Sequence, residues 1–160
     1  MNNGCMLPAT HGCWKEAKLA VMVRNDEATP SRYIAHFGDQ DGFRQKLEDA
    51  IIAERGMNYE EMVWVADGAR GNWNLCGDLT IKVTEVLDWI HAVENGMKCG
   101  RVLLGDSSSY LELWKKRIEE LLHRGDVNLL IRELMDCIEF ASDEQLEAIN
   151  QIVGYYRYND

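Results

Sequence analysis

Met62-Val63-Trp64-Val65-Ala66-Asp67-Gly68-Ala69 is a short apolar run with two valines and a tryptophan, closed by an Asp-Gly pair. A run of this length and composition predicts a parallel strand covered on both faces. The pattern before it has a different period. Across Asp39 to Gly56, Phe43, Leu47, Ala50 and Ile51 share one helical face, Asp39 suits the N-cap and Gly56 the position after the end. Still earlier, Ala17, Leu19, Val21 and Val23 alternate with Lys18, Ala20 and Met22, and aromatic and β-branched residues gather in Arg32 to Phe37. These two stretches, joined by the turn-rich Asn25 to Ser31, predict a hairpin.

Beyond the Asp-Gly pair, a short helix is expected around Asn72 to Leu79, a strand over Lys82 to Leu87, and a helix from about Ile90. Strands and helices in this order predict an α/β fold with a mixed sheet. From Asp106 onward the pattern is wholly helical. Its stripes are Leu111, Trp114, Ile118, Leu121 and Leu122, then Val127, Leu130, Leu134, Ile138 and Ala141, and last Leu146, Ile149, Val153 and Tyr156. Ser142 with Gln145 forms a capping-box pattern before the third. Two regions are therefore expected: an α/β core over 1–105 and a helical appendage over 106–160.

Composition narrows the functional classes. The formal net charge is −10, from 27 acidic and 17 basic residues, which disfavours a free-standing nucleic-acid binder because phosphate affinity comes from clustered Lys and Arg. Any DNA would have to be brought by other domains. The five cysteines, Cys5, Cys13, Cys76, Cys99 and Cys137, are scattered, without the close pairs that zinc sites need, so reduced thiols are expected. No stretch approaches the ~20 apolar residues of a membrane span, and the N-terminus lacks signal-peptide order, so no membrane partner and a cytoplasmic location are expected.

Ligands of open α/β sheets gather at the carboxyl ends of strands, where Asp67 and Asp88 stand. Two carboxylates there can hold hard divalent cations through oxygen. An ordinary alternative stays open for both, since Asp-Gly is a common turn pair and an Asp after a strand often caps the next helix. His91 follows Asp88 by three residues, which puts imidazole and carboxylate on one side of a helix start. A histidine so placed is also commonly just packed and hydrogen-bonded.

The longer string is more specific than its parts. Met62 to Ala69, then Trp73-Asn74-Leu75, then Val86-Leu87-Asp88-Trp89-Ile90-His91-Ala92, with Trp14-Lys15-Glu16-Ala17-Lys18 and Arg32-Tyr33 upstream, resembles bacterial insertion-sequence DDE transposases of the Mutator-like group with a D-x-x-H signature. The resemblance spans most of the chain to about Gly105 and continues more loosely through the helices. It implies an RNase H-like mixed sheet and a triad of two aspartates and a glutamate that binds two Mg2+ or Mn2+ ions for DNA strand cleavage and joining. It places Asp67 as the second acid, and Asp88 and His91 as the signature.

The first acid of the family belongs in an Asp-Gly pair where this chain has Asn3-Gly4. An amide oxygen lacks the charge to draw a hard cation firmly, so metal binding at Asp67 and Asp88 is expected to be weak. The family's glutamate is expected beyond the helical region, and Glu139, Glu144 and Glu147 carry no motif that promotes them. Gly71 stands where the family has a tryptophan. The resemblance thus implies a core cut short at both ends, with an incomplete first strand. Either Met1 to Leu7 forms a shortened central strand or a second copy covers the slot, since unpaired strand edges are costly.

Three functions follow as expectations. The leading one is a fragment or relic of a DDE transposase catalytic domain, inactive alone. The second is a protein-interaction module on an RNase H-like scaffold, with a homodimer as one form. The third is a small metal-dependent phosphohydrolase using Asp67, Asp88 and His91, which has no phosphate-cradling glycine loop.

Overall fold

Ala20, at the middle of the predicted hairpin, is small enough to let a helix approach the strand closely, and this sets which face of the sheet is covered. The computed structural model describes residues 2–8, 14–25, 30–54, 59, 61–79 and 81–160. Strands β1 (Asn2–Pro8), β2 (Trp14–Met22) and β3 (Arg32–Phe37) form an antiparallel sheet in that order. Its register pairs Asn3 with Leu19 and Cys5 with Ala17 on one side of β2, and Leu19 with Ala35 and Ala20 with Ile34 on the other. Helix α1 (Gln40–Ala53) follows, capped by the Asp39 carboxylate, which accepts from the Gly42 N–H at 2.8 Å. Gly56, Cys13 and residues 26–29 of the expected turn lie outside the described residues.

Helix α1 lays Phe43, Leu47 and Ala50 against Ala20 and Ile34, and Leu75 joins this buried cluster. The face predicted to be covered was the other one, carrying Leu19, Val21 and Val23. There Leu19 is 46% exposed and Val23 68%, with Tyr33 at 77% and Phe37 at 49%. The alternation points to the more apolar face of Leu19 and Val21, but α1 takes the face of Lys18, Ala20 and Met22, packing over Ala20.

A second sheet pairs β4 (Val63–Ala66) with β5 (Thr84–Leu87), and α2 (Arg70–Gly77) lies between them in sequence. Strand β1 lies against β4, with no ladder joining the two sheets. Strand β4 is covered less than its composition predicts: Ala66 is buried but Val63 is 50% exposed. Strand β5 begins two residues later than the expected Lys82.

The chain divides into two compact units, Met1–Val86 and Leu87–Asp160, so the helix that follows β5 belongs with the C-terminal helices. The second unit holds α3 (Trp89–Leu104), α4 (Leu111–His123), α5 (Val127–Asp136), a 3-10 turn (Cys137–Phe140) and α6 (Asp143–Tyr158). Ser142 and Gln145 exchange the two bonds of a capping box at the start of α6. The core is built around α3 and joins Val93, Met97 and Cys99 to Ile118, Leu121, Leu134, Ile149 and Tyr156. The Tyr156 hydroxyl donates to the Ala92 carbonyl at 2.7 Å, and burial pushes its pKa up.

Gly96 and Gly100 make room for this packing. The Trp114 indole donates to the Gly96 carbonyl at 3.0 Å, and a Cβ added at Gly100 would meet its ring at 2.5 Å. Gly154, in the middle of α6, has nothing within 4 Å of such a Cβ. Urea denaturation is therefore expected to show opposite effects: Gly100→Ala destabilises by about 1–3 kcal/mol through overpacking, and Gly154→Ala stabilises by roughly 0.5–1 kcal/mol through helix propensity.

Candidate functional site

Asp67 ends β4 as the sequence predicts, and its carboxylate organises the turn that follows. Oδ1 accepts from the Ala69 N–H and from the Asn72 side-chain amide, each at 2.9 Å. Gly68, at φ +86°, supplies the left-handed step of that turn. Helix α2 has no side-chain cap of its own at Ala69, so the half-buried Asp67 orients its first turn.

Asp88 and His91 are brought together in the second unit. Asp88 is the N-cap of α3, and its Oδ1 accepts from the His91 N–H at 3.1 Å. The imidazole folds back over the same oxygen. Its Nδ1 stands 3.2 Å from Oδ1. The Asp88 side chain is 6% exposed and that of His91 35%. Burial pushes the Asp88 carboxyl up, but the backbone N–H and imidazole of His91, with the Ile90 N–H, outweigh it and hold the group below its usual range. The helix-cap reading of Asp88 is thus realised in full.

Asp67 lies in the first unit and the Asp88–His91 pair in the second. Asn3 is near the start of β1, opposite Leu19. Glu139 lies on the 3-10 turn and Glu144 and Glu147 on α6, all exposed. Among the described residues no group of three or more His, Cys, Asp or Glu side chains is placed to hold a metal ion.

The donor chemistry agrees with that geometry. Asp67 offers hard oxygen, but a metal on Asp88 would compete with the cap of α3, and Asn3 brings no charge. These residues do not fit a two-ion centre by themselves. Cys76 and Cys99 are buried, and burial raises each thiol pKa to about 12, as befits inert core residues. Among the described residues no helix is long and apolar enough to cross a membrane.

Two features had no local sequence signal. At the end of α1, Glu54 receives both Arg24 and Arg32, and the Arg32 hydrogen bond, with Arg24, holds its carboxyl below the usual range despite the opposing effect of burial. The three residues come from separate segments. Beside them is a cavity of about 720 Å3 between Val21–Asn25 on one side and Met62, Val63 and Trp64 on the other, floored by Leu47 and Ile51 of α1. No protein-family model, curated protein or solved structure matches the chain.

Replacing Asp88 tests the cap and its charge separately. Asp88→Ala is expected to cost about 0.5–2 kcal/mol of unfolding free energy, and Asp88→Asn, which keeps an accepting oxygen, less. Because the folded carboxyl titrates below its unfolded value, near ~3.9, its charge stabilises fully above that pH and the contribution is lost as pH falls through the folded value. The stability gap between the native chain and Asp88→Asn should therefore be full at neutral pH and shrink below about pH 4, read by urea titrations across pH.

Proposed function

We propose that the chain is an RNase H-like catalytic core of the DDE transposase type, in the Mutator-like group, that does not cleave DNA alone. The observation that carries this reading is the strand arrangement: β1 pairs with β2 on one side and lies against β4 on the other. The family resemblance assigns a first strand a place between two others, and here β1 is the edge of its three-stranded sheet, close to β4 but not paired with it. Asp67 just after β4 and the Asp88–His91 pair at the start of α3 support it, being the residues that the resemblance reads as the second acid and the signature.

In this reading Asp67 is the remaining carboxylate for Mg2+ or Mn2+, and Asn3 is the neutral residue that the resemblance matches to the first acid. One charge draws a hard cation weakly, and two-ion phosphoryl transfer needs more. With a net charge of −10, the chain relies on other domains to bring DNA. The reading implies a cytoplasmic protein.

A second reading, a protein-interaction module that forms a homodimer, is favoured by the exposed apolar sheet face of Leu19, Tyr33 and Phe37. Light scattering separates the two, a concentration-independent dimer supporting the module.

The transposase reading is tested with supercoiled plasmid and Mn2+. The native chain should give no nicking above buffer, and Asn3→Asp should raise Mn2+ affinity about tenfold in calorimetry by adding a charged ligand. Metal-dependent nicking by the native chain that Asp67→Ala abolishes, or an Asn3→Asp variant with unchanged affinity, contradicts it.

A further inference from the structure

Helix α1 fills one face of the β2–β3 hairpin, and the opposite face is exposed. Along that opposite face the register sets Ala17 beside Phe37, Leu19 beside Ala35 and Val21 beside Tyr33. Directly opposed residues of an antiparallel pair point to the same side, so these six form one continuous surface, which Val23 prolongs just beyond β2. No charge interrupts it, in a chain where 28% of the residues are charged. Leu19, Val23, Tyr33 and Phe37 are all exposed on it.

The area decides what the surface can hold. An aromatic side chain offers about 150–250 Å2, so the exposed parts of Tyr33 and Phe37, with those of Leu19 and Val23, come to roughly 500 Å2. A patch of that size on one molecule is commonly a functional one. Doubled across a twofold axis it gives about 1,000 Å2, which reaches the lower bound of a specific protein–protein contact.

We propose that this face binds the same face of a second copy of the chain, the two sheets stacking about 10 Å apart with Leu19 and Tyr33 inside the contact. The chemistry of the face identifies the occupant. In a twofold contact a charged residue meets its own kind across the axis, so a face that associates with itself is best left without charge. Nucleic acid or an anionic lipid surface would need Lys and Arg there, and a charged protein partner would need complementary charges. The net charge of −10 opposes the approach of two copies, and salt screens that repulsion beyond ~8–10 Å. Salt therefore strengthens this contact, where it would weaken one built on ion pairs. The existence of a dimer rests on the interaction-module reading, and the exposed face assigns where the copies meet.

The test is sedimentation velocity of the full chain over a dilution series. The native chain should dimerise, and its dissociation constant should fall at least about threefold as NaCl rises from about 0.05 to about 0.5 M. Tyr33→Lys, at the most exposed of these positions, should keep the native far-ultraviolet circular dichroism and weaken the dimer at least about tenfold by setting like charges across the axis. Leu113→Lys, at an exposed apolar position of α4, should leave the dimer unchanged. If Tyr33→Lys fails to fold, the amides that shift on dilution of the native chain decide, and these are expected within residues 17–23 and 33–37. A dimer that a folded Tyr33→Lys leaves intact, that salt weakens, or whose shifts lie elsewhere overturns the proposal while the module reading stands. A monomer overturns both.

Discussion

Everything in the first unit depends on backbone pairing between Asn2–Pro8 and Trp14–Ala20. Strand β2 is flanked by β3 on one edge, and without β1 its other edge would present a row of unpaired amides and carbonyls to whatever came near. With β1 in place the sheet becomes three strands wide, enough to support α1 and the cluster of Phe43, Leu47 and Leu75 beneath it. The same pairing brings β1 alongside β4, which Asp67 directly follows. The structural strand and the candidate chemistry therefore share one support.

Much of this was legible where a residue acts on its own neighbours. Asp39, Ser142 and Gln145 were readable as caps because capping needs only a few adjacent positions, and the structure places all three in that role. The inward Trp114 was also readable, since helical spacing brings it onto a face that must pack. Which side of the β2–β3 hairpin α1 would cover was not. The alternation favours the face of Leu19 and Val21, and only the approach of α1 over Ala20 puts the core on the face that also carries Lys18 and Met22. The sequence reading grouped α3 with the sheet because it follows β5, but its buried face of Val93, Met97 and Cys99 belongs to the C-terminal helices.

The candidate site divides along the same line. Both aspartates were legible at strand ends, and in both the local hydrogen bonds of the ordinary reading are present: Asp67 holds the turn into α2, and Asp88 caps α3 with His91 leaning on its carboxylate. The meeting of Arg24, Arg32 and Glu54 and the cavity beside them had no sequence signal, being produced by segments that come together only when β2, β3 and α1 assemble.

The central claim is that Asn2–Pro8 is an integral strand of the folded sheet, and native-state hydrogen exchange of its amides tests this most directly. Those amides of Asn3 to Leu7 that point toward β2 should open with a free energy comparable to those of Leu19 and Ala20, as one cooperative unit. Exchange of the β1 amides at the rate of an unfolded peptide, while β2 and β3 stay protected, would contradict the account and remove the support for the strand order on which the functional reading stands.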